Sequence, residues 1–180
     1  LMKDVGSRLE AKPDARSESW VVLGMLKERT GDAPGAESAY RAAIRITPQQ
    51  SVAKNNLAML LLSSSGQLDE ALQLAEAAAK DEKDPSHSEY LDTLAQVQSK
   101  AGRHDAAERS LRRAVELAPQ NLVMRATLVQ ILLNAQKFPE ARQTFDELEG
   151  MSASARQANE PLDARLKALA ASLASSPSNK

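Results

Sequence analysis

The sequence lacks cysteine entirely, and this absence excludes disulfides, thiolate zinc sites and cysteine nucleophiles. Aromatic residues make up only 3% of the 180 residues. Charges of the two signs nearly cancel, since 23 Lys and Arg face 24 Asp and Glu, for a net charge of −1. This balance gives no electrostatic reason to expect nucleic acid or an anionic membrane surface as the main partner.

Long apolar runs are also missing. The longest uncharged apolar run is Leu57–Leu62, far shorter than the roughly 18 residues of a membrane-spanning helix, so we expect no membrane insertion by this segment. No basic and then apolar signal region follows Leu1, and we interpret the chain as a segment of a longer protein, which leaves its compartment unpredicted. Alanine and leucine are abundant instead, at 31 and 24 residues, which favours helices over strands.

Four segments of the sequence resemble one another, and together they predict a helical repeat. Each segment has a leucine in its first half and an alanine at the start of its second half, and three of them have a glycine between. Such glycines suit the left-handed conformation that ends a first helix, and the alanines allow two helices to approach closely. The corresponding residues are Leu23, Leu57, Leu94 and Leu128, then Gly31, Gly66, Gly102 and Gln136, then Ala36, Ala71, Ala107 and Ala141.

Larger side chains and prolines complete the pattern. Tyr40, Leu111 and Phe145 follow one turn after those alanines and fill the space between the helices. Pro48 and Pro119 predict the end of the second helix in their segments, because proline cannot continue a helix. Insertions fall within the second turn and within the linker 81–87, which is where loops accept extra residues.

These residues resemble the tetratricopeptide repeat, whose period is about 34 residues. The first segment carries the fullest match, with Trp20, Leu23, Gly24, Tyr40 and Pro48 at signature positions. The resemblance covers about residues 17–151. It implies an all-α, right-handed α-solenoid of helix-turn-helix repeats, in which stacked neighbours bury a continuous core.

The resemblance also implies an organisation for the whole chain. Leu1, Val5 and Leu9 indicate a helix, and Leu162, Leu166, Leu169 and Leu173 indicate an amphipathic capping helix. The predicted parts are a second helix of a preceding half repeat at 1–16, four repeats at 17–50, 51–87, 88–121 and 122–151, a linker and capping helix at 152–174, and a tail at 175–180.

In tetratricopeptide proteins, ligands contact the second, fifth, sixth, ninth, twelfth and thirteenth positions of each repeat. In the first repeat these positions include Val22, Glu28 and Arg29. The resemblance implies a protein-binding or peptide-binding groove that is apolar in its first half and polar in its second. The candidate groove residues are Val21, Met25, Val52, Asn55, Asn56, Met59, Leu62, Thr93, Gln96, Gln130 and Asn134.

Asn56 is the strongest of these candidates, because it matches a peptide-gripping asparagine of several family members and an amide both donates and accepts hydrogen bonds. The alternative is that these residues only pack between helices or face water, and Val21, Met25 and Met59 suit the core equally. Members that capture acidic C-terminal tails use a set of basic and amide residues. Only Asn56 agrees with that set, and Glu89 would repel a carboxylate, so we expect no such capture.

No motif for catalysis, cofactor binding or metal binding is present in the sequence. His87 and His104 have no ligand-spaced partners, and we expect both to be solvated. Arg109, Arg112 and Arg113 form a basic stripe that we expect to face solvent, with Arg112 spaced to pair with Glu116.

The sequence therefore favours a non-catalytic interaction scaffold that docks a peptide or a partner surface. A structural spacer or self-association module of a larger bacterial multi-repeat protein, associated for example with exopolysaccharide or protein sorting, is the alternative. Regulation of an enzyme domain elsewhere in a parent chain is a third hypothesis. The sequence fixes neither the partner nor the oligomeric state.

Overall fold

The structure, a computed structural model, describes residues 16–63, 67–152 and 160–177, and these residues form only helices, turns and loops. The segment 1–16, except its last residue, and Gly66 in the second turn lie outside the described residues, as do most of the predicted linker and residues 178–180 of the tail. Within these described residues the helices are α1 Ser17–Arg29, α2 Ala33–Ile46, α3 Ser51–Leu62, α4 Leu68–Ala79, α5 His87–Lys100, α6 His104–Leu117, α7 Leu122–Asn134, α8 Phe138–Ser152 and α9 Glu160–Ser175.

The chain divides into two compact units, residues 1–83 and residues 84–180. In the first unit, α1 packs against α2 and α3 packs against α4, while α2 also contacts α3. Its core consists of tightly buried small and aromatic side chains. Ala36, Tyr40, Ala43, Ala71 and Ala75 each have no exposed surface. The signature alanines are therefore buried between the helices.

Tyr40 fits into the first unit because Gly24 has no side chain. A Cβ built on Gly24 would lie 2.7 Å from Cδ1 of Tyr40 and 2.8 Å from its Cζ, well inside van der Waals contact. The ring is fully buried, so it has little room to move away. At the equivalent positions of the α5/α6 hairpin stand Ala95 and the smaller Leu111, and both are fully buried.

In the second unit, the same hairpin plan is extended by the C-terminal helix. α5 packs against α6 and α7 against α8, and α9 packs against both α7 and α8. The leucines predicted to make α9 amphipathic, Leu162, Leu166, Leu169 and Leu173, are each at most 4% exposed. Arg142 of α8 donates from Nη2 to the backbone oxygen of Leu173 over 2.9 Å, which holds the end of α9. α9 therefore closes the core of this unit within the same chain.

The turns confirm the role that the sequence gives to glycine. Gly31 and Gly102 have positive φ angles of 75° and 73°. In the fourth hairpin Gln136 adopts the same left-handed conformation, with φ 59°. The amide of Lys137 donates to the carbonyl of Leu132 over 2.9 Å, which is the bond expected across such a helix end. Likewise α2 ends at Ile46 and α6 at Leu117, just before Pro48 and Pro119.

Replacing Gln136 with glycine is expected to stabilise the fold by about 1 kcal/mol, because a residue with a Cβ is strained in the left-handed region. The reciprocal change Gly102→Ala is expected to destabilise by a similar amount of about 1 kcal/mol. A Cβ on Gly102 meets nothing within 4 Å, so only the backbone conformation is tested. Denaturant unfolding of both variants measures the change in the free energy of unfolding. Changes of the same sign in both variants would contradict the view that left-handed backbone strain determines these effects.

Charged side chains tie neighbouring hairpin helices together in the second unit, and one predicted pair is wrong. Lys137 contacts Asp105 at 3.0 Å and Glu108 at 2.8 Å. Arg112 pairs with Glu108 at 2.7 Å instead of with Glu116, which pairs with Arg113. A glutamate four residues before its cation is the better orientation on a helix, which favours Glu108 over Glu116 as the partner of Arg112.

Candidate functional site

An open concavity of about 440 Å³ lies in the first unit, between α1 and α3. Met25, Glu28 and Arg29 line it from α1, and Asn56 lines it from α3. Met25 and Asn56 are candidate groove residues of the sequence analysis, and the structure brings them together. Glu28 and Arg29 occupy ligand positions of the family but were not among the chosen candidates. We refer to these four residues as the α1/α3 concavity.

The apolar part of this surface extends along α1. Met25 is 48% exposed and Val22 is 55% exposed, and Leu26 is also partly open at 37%. Positions 22, 25, 26 and 29 fall on one face of a helix, so these side chains are contiguous with Arg29. Exposed apolar side chains grouped beside polar ones are a feature of binding surfaces.

A hydrogen-bonded network fixes the polar part of the concavity. The hydroxyl of Tyr40 donates to the carboxylate of Glu28. Asn56 Nδ2 points at the same hydroxyl over 3.5 Å, at the limit of a hydrogen bond, and Asn55 Nδ2 donates to Asn56 Oδ1 over 3.2 Å. Burial, and then the hydrogen bond to Glu28, raise the pKa of Tyr40, so the phenol remains a neutral donor. A buried core residue thus holds Glu28 in place.

The two asparagines keep unused hydrogen-bonding capacity. Asn55 Oδ1 is buried and accepts no hydrogen bond from the described residues. The amide nitrogen of Asn56 has two hydrogens, of which Tyr40 takes at most one. A peptide backbone beside Asn56 would find a hydrogen-bond donor there, and the role of Asn56 in binding stays a prediction.

The remaining candidates of the first unit differ in exposure. Val21 is 6% exposed and belongs to the core of the unit, so it offers little surface to a ligand. The other three are partly buried: Val52, Met59 and Leu62. Val21 was given both interpretations in the sequence analysis, and its burial favours the packing one.

In the second unit, the candidate residues form a polar row on α5 and α7. Gln96 donates to Asp92 Oδ2 over 3.2 Å. Gln130 and Asn134 are exposed and linked by a 3.0 Å hydrogen bond, while Asn134 reaches Ser99 on α5 over 3.2 Å. Thr93 is buried, at 4% exposure, and presents almost no surface. The row is neutral and polar, as its composition predicts.

A charged group that the sequence pattern did not predict, Arg165 of α9, lies beside this row. Arg165 of α9 donates from Nη2 to Thr127 Oγ1 over 2.9 Å. Burial raises the pKa of Asp92 to about 6, although the positive charge of Arg165 acts in the opposite direction. Burial also lowers the pKa of Arg165. Thr127 and Arg165 are each the sixth residue of their helices, α7 and α9, and this shared position is a signal that could have indicated Arg165.

Groups able to hold a metal ion are absent from the described part of the chain, where no three His, Asp or Glu residues cluster suitably. His87 and His104 begin α5 and α6, and both are partly buried. The expectation that they are solvated is wrong for Nδ1 of each ring, which is buried. None of the helices within the described ranges combines the length and apolarity needed to cross a membrane.

Comparison with known proteins points to one family. Two family models, both described as "Tetratricopeptide repeat", match residues 99–173 in one case and residues 21–88 and 56–121 in the other. A Caenorhabditis elegans protein described as "BBSome complex member bbs-4" is 29% identical over 113 residues, which cover 61% of this chain and 24% of that protein.

Solved structures share the fold at low sequence identity. The structure titled "Crystal structure of PilW, widely conserved type IV pilus biogenesis factor" is 19% identical with a TM-score of 0.73, covering 82% of this chain and 66% of that one. A structure titled "Crystal structure of YrrB: a TPR protein with an unusual peptide-binding site" is 15% identical with a TM-score of 0.69, covering 96% and 92%. The chain therefore spans about a quarter of the curated relative and about two thirds of PilW.

Helical hairpins, the left-handed turns and these matches define an all-α protein of the helical-repeat solenoid class. The chain belongs to the tetratricopeptide repeat family, because the family models together match residues 21–173. This fold indicates a protein-protein interaction scaffold, and members of the family are generally non-catalytic.

Proposed function

We propose that this chain is a non-catalytic scaffold that docks a peptide segment of a partner protein in the α1/α3 concavity. The observation that carries the proposal is the exposure of Met25 beside Asn56, Glu28 and Arg29. An apolar surface with a few placed polar groups is the usual composition of a site that binds a peptide.

The apolar and the polar residues of the concavity would bind different parts of the peptide. Met25 would take an apolar side chain of the peptide, and methionine adapts to ligands of varied shape. Asn56 would bind the peptide backbone through its amide, which donates and accepts at once. Docking of this kind needs no reacting group, and the scaffold interpretation follows from the fold.

Met25→Glu is expected to weaken binding of a docked peptide by at least about tenfold, because it places a charge against an apolar contact. Asn56→Ala is expected to weaken it less, by about threefold to tenfold, through the loss of one hydrogen-bonded group. The probe is a random dodecapeptide library displayed on phage, selected against the unmodified chain, and isothermal titration of the winning peptides measures affinity.

Ile46→Glu provides a matched control, since Ile46 is 49% exposed, like Met25, but lies at the end of α2 and outside the concavity. Circular dichroism must show that all variants are equally helical. Peptides that bind Met25→Glu as well as the unmodified chain, or that lose binding equally to Ile46→Glu, would overturn the proposal.

The exposed apolar face of α1 also favours a second candidate, self-association of the chain. Val22, Met25 and Leu26 together offer a surface that a second copy could cover. Analytical ultracentrifugation separates the candidates. Self-association predicts that the measured mass of the unmodified chain rises with concentration. It also predicts that the Met25→Glu variant keeps the mass of a monomer. Both results together favour the self-association module over the peptide scaffold.

A further inference from the structure

The α1/α3 concavity contains a carboxylate that the protein itself does not neutralise. Glu28 is exposed, and no described cation forms an ion pair with it. The neighbouring Lys27 is already engaged, since its Nζ lies 2.6 Å from Asp32 Oδ2. Other acidic residues of the unit are neutralised by a cation, such as Glu70 by Arg41. Glu28 is therefore an available negative charge at the edge of the concavity.

Glu28 is also held in one position, which is unusual for an exposed glutamate. Its partner is the hydroxyl of Tyr40, whose side chain has no exposed surface. Tyr40 in turn is fixed by its close packing over Gly24. The rigid contact runs from the core of the unit to the carboxylate, so Glu28 loses little conformational entropy when it binds an ion.

We propose that the α1/α3 concavity selects peptides that carry a lysine or arginine next to an apolar side chain, with Glu28 as the acceptor for the basic group and Tyr40 as its positioning residue. This inference rests on the docking function proposed above. The basic side chain meets Glu28 while the apolar neighbour meets Met25, since both line the same concavity. An ammonium or guanidinium group gains most from a carboxylate that is already oriented.

Arg29 sets a limit on this preference. It lines the same concavity and is exposed, and no described carboxylate pairs with it. Its positive charge opposes a basic ligand, but its side chain has no anchor comparable to that of Glu28. We therefore expect Arg29 to weaken the preference for basic peptides without reversing it. An acidic peptide bound through Arg29 is the competing outcome.

The experiment uses the dodecapeptide library of the previous section. Among winners that depend on Met25, we expect enrichment of lysine and arginine. For one winner, the affinity ratio between the lysine peptide and its lysine-to-glutamine derivative measures charge selectivity. Glu28→Gln is expected to lower binding of the lysine peptide about fivefold and to remove the selectivity, an effect consistent with a partly exposed ion pair.

Tyr40→Phe tests the positioning role, because it keeps the carboxylate and most of the core ring while removing the anchoring hydroxyl. We expect the selectivity ratio to fall to an intermediate value, about twofold below that of the unmodified chain. A Tyr40→Phe protein with an unchanged ratio would overturn the positioning role. Arg29→Gln is expected to raise the affinity for the lysine peptide slightly.

The possible failures are distinct. Winners that need Met25 but are acidic, or that bind Glu28→Gln unchanged, overturn the basic preference and leave the docking function in place. If no winner depends on Met25, the docking function itself fails. Thermal unfolding of each variant shows that a loss of binding does not come from a loss of fold.

Discussion

Gly24→Ala is expected to destabilise the first unit by about 2–3 kcal/mol, although alanine in a helix is favoured over glycine by about 1 kcal/mol. The added Cβ would lie 2.7–2.8 Å from ring atoms of Tyr40, whose side chain is fully buried. Either the ring or α1 must shift, and the fully buried ring has little room to do so. Denaturant unfolding monitored by circular dichroism measures the change.

A double-mutant cycle identifies the cause of the destabilisation. In a Tyr40→Leu background the ring is gone, and Gly24→Ala is expected to become neutral or slightly stabilising. The coupling between the two sites should therefore amount to about 2 kcal/mol or more. Additive effects of the two substitutions would mean that the close packing of Tyr40 over Gly24 does not govern this helix crossing.

Gly150→Ala is the matched control, because a Cβ on this glycine of α8 meets nothing within 4 Å. Gly150 is exposed and lies in a helix, so alanine is expected to stabilise by about 0.5 kcal/mol. If the free energy of unfolding falls in Gly24→Ala but rises in Gly150→Ala, the difference isolates the contribution of Tyr40. Gly24→Ala should also reduce the charge selectivity of the α1/α3 concavity if a displaced Tyr40 ring no longer holds Glu28 in position.

The repeat, its turns and its helix ends could be predicted from the sequence because they depend on local chemistry. Glycine is favoured where the backbone is left-handed, as at Gly31 and Gly102, and α2 and α6 end just before a proline. These requirements recur at a fixed period, so each repeat supports the interpretation of the next.

The details of the candidate site could not be predicted in this way, because they depend on side-chain conformations and on contacts between helices. Met25 and Asn56 were chosen by position, and they do lie together. The bond from Tyr40 to Glu28 joins a core residue to a surface residue, and the pattern assigned Tyr40 to packing alone. The choice of Glu108 over Glu116 by Arg112, by contrast, could have been predicted from the order of the two residues along the helix.

Asp92→Asn is expected to make the second unit more stable at pH 7.5 by about 2 kcal/mol, with the difference disappearing near pH 4. Burial, aided by the nearby Glu89, raises the pKa of Asp92 from 3.8 to about 6, while Arg165 and the hydrogen bond from Gln96 act to lower it. The folded protein therefore binds a proton more tightly at Asp92 than the unfolded chain does.

The sign of the pH dependence follows from this difference. The stability associated with protonated Asp92 is fully present below about pH 4 and is lost as pH rises through 6. A raised pKa of this size corresponds to an upper limit of about 3 kcal/mol, and loss of the attraction to Arg165 reduces what asparagine recovers. Denaturant unfolding between pH 4 and pH 7.5 gives the profile of each protein.

Asp146→Asn is the control for this prediction, because Asp146 is an exposed carboxylate on α8 of the same unit. Relative to this control, Asp92→Asn should flatten the pH profile of stability between pH 4 and pH 7. An Asp92→Asn protein that is less stable at every pH would show that the attraction between Asp92 and Arg165 outweighs the cost of burial. In that case α9 is held in place by charge as well as by its leucines, and Arg165→Gln should destabilise the unit to a similar extent.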